Sequence, residues 1–295
     1  MDTASLLVGI VGGGTAAALV TSRHAAAERT RERLLTTAEA FLAASDRARG
    51  AVSTTARWMS ELTDASAALD RHLTKLSQGD GNTEEQEELL ATQQLRPLPA
   101  RALGVFEDAI SEMVAGISMP SRWQAELDEI IAAADGILAD TDVADSQSDF
   151  PQLVRSLVTR VHRAAASLRE CYASLDDLVH TLPRVRLTFS VGADDDPVTF
   201  AAFRIAAHAA SAGVLIGAHN ENVTPASDLQ EMTAWQGEFA RRVAARLHPW
   251  RTASLGRIRP LPTMNAEPTG SERLEAVRAS EQLQLTGQAS SSTHS

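Results

Sequence analysis

A regular pattern of apolar and polar positions between Thr30 and Leu76 predicts one long helix. Apolar or small side chains recur there at spacings that alternate between four and three residues, which is the pattern of a coiled-coil seam. We expect this seam to pack against later helices of the same chain; pairing with a second copy of the chain is the alternative. The seam consists of Leu34, Ala38, Phe41, Ser45, Ala48, Val52, Thr55, Met59, Leu62, Ser66, Leu69, Leu73 and Leu76.

Shorter stretches with helical spacing follow, separated by proline, glycine and acidic turns. The Ala-rich, aromatic-poor composition favours closely packed helices over a β-sandwich. The expected fold class is all-α, with a long coiled-coil-like helix over 23–78, a helical bundle domain over 79–249 and a disordered tail over 250–295. Within the tail, 272–283 is expected to be helical part of the time. The predicted bundle helices cover about 83–94, 100–118, 121–138, 149–182, 198–218 and 224–248.

The segment from Arg184 to Val191 is the best strand candidate in the chain. Pro183 is expected to end the preceding helix, and apolar residues then alternate with polar ones. Because one strand forms no sheet, we expect an extended connector or a small intermolecular pairing here.

The stretch from Val198 to Ala218 is long and apolar, but Arg204 and His208 lie inside it. A central arginine costs about 2.5–3.5 kcal/mol on membrane-insertion scales. We therefore expect a buried helix of the bundle, and a second membrane span is the alternative.

Residues 1–22 are predicted to form a transmembrane anchor. The run from Ala4 to Ser22 carries no charge, and a helix of about 17–25 apolar residues crosses the hydrocarbon core. Asp2 precedes the run, whereas Arg23 and further arginines follow it. Because positive charge stays in the cytoplasm, the expected location is the cell membrane, single-pass, with the N-terminus outside and the body cytoplasmic. The many glycines and alanines make this anchor only weakly hydrophobic. A soluble or interfacial helix and a signal peptide are the alternatives.

Small side chains recur every four residues within the anchor, at Ser5, Gly9, Gly13 and Ala17. On a helix they form one ridge, and such ridges let two membrane helices approach closely. The expected partners are therefore membrane lipid and a second copy of the chain, as a homo-oligomer formed through the first span.

Gly12, Gly14 and Ala17 also match the G-x-G-x-x-G/A fingerprint of flavin- and nicotinamide-binding enzymes. That fingerprint needs a second strand that ends in an acidic residue about 20 positions later. The sequence from Ala25 to Arg33 is instead charged and strongly helical. No cofactor is therefore expected, and a soluble flavin- or nicotinamide-binding enzyme is kept as an alternative hypothesis.

Charge and the scattered reactive residues argue against several other functions. The net charge of −11 disfavours nucleic-acid binding. Cys171 is the only cysteine, so no intrachain disulfide forms. The histidines lack metal-ligand spacing, and no P-loop or nucleophile elbow occurs. No catalytic, cofactor-binding or metal-binding residue is assigned, and the chain is not expected to be an enzyme.

Three segments resemble single-span, N-terminally anchored helical proteins of GC-rich bacteria, a group whose function is unknown. They are the run from Leu6 to Val20, the Arg/Glu helix over 23–33 and, more loosely, 184–189 before a helix capped near Asp196. The use of Arg for every basic residue except Lys75 fits such a genome. The resemblance implies a bacterial protein with one span followed by a helical body, and it assigns no functional residue.

The leading hypothesis is a membrane-tethered helical interaction or scaffold protein with an unknown protein partner. Besides the cofactor-binding enzyme, the other alternative is a helical-bundle sensor for an apolar ligand. Its cavity would lie among Phe106, Trp123, Leu157 and Trp235.

Overall fold

The computed structural model describes residues 3–76, 90, 92–115, 120–142, 150–190, 196–218, 225–248, 269–270, 272–273 and 275. Side chains are described from residue 25 onwards, except at a few helix ends. These residues form six long helices and no strand, which confirms the all-α fold and the helical bundle. The helices are α1 (Thr3–Leu76), α2 (Leu98–Val114), α3 (Pro120–Asp142), α4 (Phe150–Phe189), α5 (Pro197–Ala218) and α6 (Pro225–Leu247).

The helix predicted over 83–94 lies mostly outside the described residues. Residue 90 and residues 92–95 are helical. Its earlier part stays a prediction.

The long helix α1 packs along α4 and also contacts α6 and α5. α4 runs antiparallel to it, because Thr37 Oγ1 lies 3.4 Å from Thr188 Oγ1 while Arg160 Nη1 donates to the Glu61 carbonyl at 2.9 Å. Nine of the thirteen predicted seam residues are thus buried against helices of the same chain, and the coiled coil itself stays a prediction. The buried seam residues are Ala38, Phe41, Ser45, Ala48, Val52, Thr55, Met59, Leu62 and Leu69.

The end of α4 corrects the sequence prediction for its last turns. The helix continues through Pro183 to Phe189, so neither the predicted helix end at Pro183 nor the strand over Arg184–Phe189 is correct. Val185 and Phe189, four residues apart, are buried, whereas Arg184 is exposed. The alternation that suggested a strand is also compatible with one buried helical face, and packing against α1 and α6 selects the helix. Val191, the last residue of that candidate, lies outside the described residues.

The apolar helix α5 lies at the centre of the bundle, in contact with α6, α2, α4 and α1. Among the residues whose side chains the structure describes, the stretch Pro197–Ile216 of α5 is the one that has the length and hydropathy of a membrane span, and 67% of it is buried. Its neighbours approach closely, since a Cβ at Gly213 would lie 3.0 Å from Leu175 Cδ1. This packing is that of a core helix.

The ends of three helices meet beside the first half of α1, at what we call the proximal end of the bundle. Arg246 of α6 donates to the Phe189 carbonyl of α4 at 2.7 Å and also pairs with Asp196, which precedes α5. Arg31 of α1 lies 3.1 Å from His248. The proximal end is therefore the end of the bundle nearest to the predicted anchor along α1.

Candidate functional site

The described residues contain a buried polar cluster between α5 and α6. Arg204, His208 and Ser211 occupy one face of α5, at helical spacings of four and three. They face Asp228 in the first turn of α6. The side chains of His208 and Asp228 are 1% and 0% exposed. Charged and polar groups are rarely this deeply buried unless they are paired, so each contact in the cluster matters.

Hydrogen bonds connect the cluster through Asp228. His208 Nδ1 lies 2.8 Å from Asp228 Oδ1, and Ser211 Oγ donates to Oδ2 at 2.6 Å. The other ring nitrogen, Nε2, lies 3.0 Å from Arg204 Nη2. His208 therefore lies between Arg204 and Asp228, with one ring nitrogen in hydrogen-bond contact with each.

A turn from the C-terminal region completes the cluster. The Gly270 backbone N–H is 3.1 Å from both carboxylate oxygens of Asp228. A Cβ at this position would overlap Asp228 Oδ2 and lie 2.5 Å from Leu215 Cδ1, so only glycine fits without a shift. Thr269 and Glu272 bond each other's backbone N–H groups in a capping box that starts a helical turn. The disorder predicted for 250–295 therefore does not extend to this turn.

The environment of Asp228 keeps its carboxylate ionised. Burial by itself raises the pKa of Asp228, but hydrogen bonds from His208, Ser211 and the Gly270 backbone outweigh it, so that the pKa is lowered from its ordinary value. The positive N-terminal end of α6 favours the same charged form. Arg204 contacts the other ring nitrogen of His208, and its guanidinium lies 5.9 Å from the Trp235 ring centroid.

This cluster contains a serine, a histidine and an aspartate, but their connections differ from those of a catalytic triad. A triad needs a serine hydroxyl that gives its proton to His Nε2. Here Ser211 donates to Asp228, and Arg204 occupies Nε2. The histidine is also buried, so a substrate has no access. The arrangement instead joins α5, α6 and the C-terminal turn.

Sequence reasoning identified the polar residues of α5 only as obstacles to a membrane span. The available signal was the spacing of Arg204, His208 and Ser211 on one face of an otherwise apolar helix. Asp228 and Gly270 carry no local signal, because they meet that face only through the tertiary fold.

The ridge predicted to mediate self-association, at Ser5, Gly9, Gly13 and Ala17, lies on the backbone of α1. Its side chains are outside the described residues. The Gly-rich fingerprint from Gly12 to Ala17 is helical as well, whereas cofactor binding needs a strand followed by a turn at this position.

The residues considered for an apolar-ligand cavity are core residues: Phe106, Trp123, Leu157 and Trp235. All four are buried, Trp123 packs on Tyr172 with ring centroids 4.8 Å apart, and Trp235 packs on Phe200 at 5.6 Å. Within the described part of the chain, no three His, Cys, Asp or Glu side chains converge to hold a metal.

No protein-family model, no curated protein and no solved structure matches this chain.

Proposed function

We propose that this protein is a membrane-tethered helical scaffold, anchored by residues 1–22 with its bundle in the cytoplasm. The uncharged run between Asp2 and Arg23, followed by arginines, supports both the anchor and its orientation. The function of such a scaffold is to hold a protein partner at the membrane surface, without chemistry of its own.

The observation that carries this proposal is the continuity of α1. One helix runs from Thr3 to Leu76, a length of about 110 Å at 1.5 Å per residue. Its later part supplies the buried seam of the bundle. A span at its start would therefore be rigidly coupled to the bundle, with no flexible linker between them.

Val11→Arg places a charge near the middle of the uncharged run, and we expect it to move the full-length protein from the membrane to the soluble fraction. A central arginine costs about 2.5–3.5 kcal/mol, which a weakly hydrophobic span cannot offset. The measurement is fractionation of expressing cells, with alkaline extraction of the membranes.

Ala27→Arg is the matched control, because it adds the same charge at an exposed position of α1 beyond the run. This variant is expected to stay with the membranes and to be released only by detergent. Recovery of the unmodified protein in the soluble fraction would refute the anchor.

Self-association through the first span is the second part of the proposal. Replacing Gly9 and Gly13 together by leucine is expected to abolish the cross-linked dimer of the full chain in membranes, since bulky side chains keep the helices apart. The control replaces Gly14 and Ala18 by leucine. These two residues have the same spacing but lie on the other side of the helix. Equal cross-linking of both double variants would exclude the ridge as the contact.

A further inference from the structure

We propose that a groove at the proximal end binds the phosphate headgroups of anionic lipids. This inference rests on the proposed anchor, which places the groove beside the membrane. The groove lies between α1 and α4 and has a volume of about 740 Å³. Its lining, called the proximal groove below, consists of Ala26, Arg29, Thr30, Glu32, Arg33, Thr36, Thr37 and Arg184.

The charge of the proximal groove is opposite to that of the whole chain. Three arginines and one glutamate line it, whereas the protein carries a net charge of −11. Arg29, Arg33 and Arg184 are exposed, and the planar guanidinium group suits bidentate contacts with phosphate.

The position of the groove along α1 matches the headgroup region. Arg29 and Arg33 follow Ser22, the last residue of the uncharged run, by seven and eleven residues, or about 10 and 16 Å along a helix. The headgroup layer on each side of a bilayer is about 5–7 Å thick, and its surface potential decays over roughly 8–10 Å. Long arginine side chains on this part of α1 therefore reach the anionic surface.

Exposed leucines beside the arginines point to a lipid surface as the occupant. Leu187 is 83% exposed and Leu35 is 38% exposed. They lie at the proximal end, near Arg184 and Arg33 along their helices. Basic side chains next to exposed apolar ones are typical of surfaces that sit in the membrane interface. A free phosphate compound would use the arginines but would leave the leucines without a role.

The test follows the distance between Leu187 and the membrane in the full-length protein. Leu187→Cys provides an attachment point for an environment-sensitive fluorophore. Cys171 does not compete for the label, because burial raises the pKa of its thiol to about 12. The labelled protein is reconstituted in phosphatidylcholine vesicles with increasing fractions of phosphatidylglycerol. We expect the emission to shift to shorter wavelength as phosphatidylglycerol increases, and the shift to be lost at high salt.

Arg184→Glu, in the labelled protein, is expected to lower the apparent association constant for phosphatidylglycerol about 30-fold, because it changes two charges near the surface. This constant is read from the emission shift as a function of the phosphatidylglycerol fraction. Arg155→Glu is the matched control on the same helix: it makes the same change at an exposed position near the other end of α4, and it is expected to keep the full shift.

The outcomes separate this inference from the anchor. Protein that fails to float with pure phosphatidylcholine vesicles refutes the anchor. Protein that floats with both vesicle types but shows no phosphatidylglycerol-dependent shift refutes only the headgroup site. Loss of the shift in both glutamate variants refutes the groove as its origin. Abolition of the shift by inorganic phosphate at constant ionic strength would identify a free phosphate as the ligand and overturn the lipid assignment.

Discussion

Replacing Asp228 with alanine is expected to lower the free energy of unfolding by about 3–5 kcal/mol, because it removes the acceptor at the centre of a buried network. The Asp228 side chain is 0% exposed. His208, Ser211 and the Gly270 N–H all donate to it. After the substitution these donors stay buried without an acceptor, which costs more than the loss of the bonds alone. Denaturant unfolding of the full chain in mild detergent, followed by circular dichroism, measures the change.

Asp177→Ala is the matched control for this substitution. Asp177 also forms an ion pair, at 2.6 Å from Arg47 Nη2, but both side chains are at least half exposed. Exposed pairs of this kind contribute about 0–1 kcal/mol, so the control variant is expected to unfold almost like the unmodified protein. Equal effects of the two substitutions would show that the buried network does not stabilise the fold.

The contribution of Asp228 to stability also depends on pH. Its pKa in the fold is lowered from 3.8, its ordinary value in an unfolded chain. A carboxyl with a lowered folded pKa stabilises the fold fully above its unfolded pKa, and this stabilisation is lost as the pH falls through the folded pKa. The unfolding free energies of the unmodified protein and of Asp228→Asn are therefore expected to differ most near neutral pH and to converge only at acidic pH, as the pH falls through the lowered folded pKa.

The sequence predicted the parts of this fold that depend on local periodicity. The seam of α1 repeats over many turns, so its buried face follows from spacing alone. Spacing did not tell whether that face meets the same chain or another copy. The structure places α4 and α6 against it, and this answer depends on contacts between residues far apart in the sequence.

The segment after Pro183 shows why short patterns mislead. Val185 and Phe189 fit the period of a strand and also that of a helix. Two tertiary contacts decide for the helix: Phe189 lies 6.4 Å from Phe239, and its carbonyl accepts a hydrogen bond from Arg246. Proline removes one backbone donor from α4, but packing on both sides of it maintains the helix.

The buried polar cluster was partly visible and partly hidden in the sequence. Arg204, His208 and Ser211 are recognisable as polar residues at helical spacing in an apolar helix. Their common acceptor, Asp228, begins another helix, and Gly270 belongs to a region whose composition predicts disorder. Only the folded chain brings these residues together.

Phe239→Ala is expected to lower the free energy of unfolding by about 3–5 kcal/mol, the usual range for a large buried aromatic side chain. Phe239 is fully buried, with its ring centroid 4.9 Å from that of Phe41 and 6.4 Å from that of Phe189. These rings come from α6, α1 and α4, so the cavity would open where three helices meet at the proximal end. Thermal and denaturant unfolding measure the loss.

Phe203→Ala removes the same atoms from a side chain that is 47% exposed, and it is expected to change stability far less, since little apolar surface leaves or enters water. The comparison isolates the effect of burial, because the two substitutions are chemically identical. Phe239→Ala can also be introduced into the protein labelled at Leu187→Cys. If it strongly lowers the free energy of unfolding but the emission still shifts with phosphatidylglycerol, the proximal groove tolerates weaker packing behind it. A loss no larger than that of Phe203→Ala would mean that the three rings do not hold the proximal end together, and that α1 is tied to α4 and α6 by its remaining seam contacts.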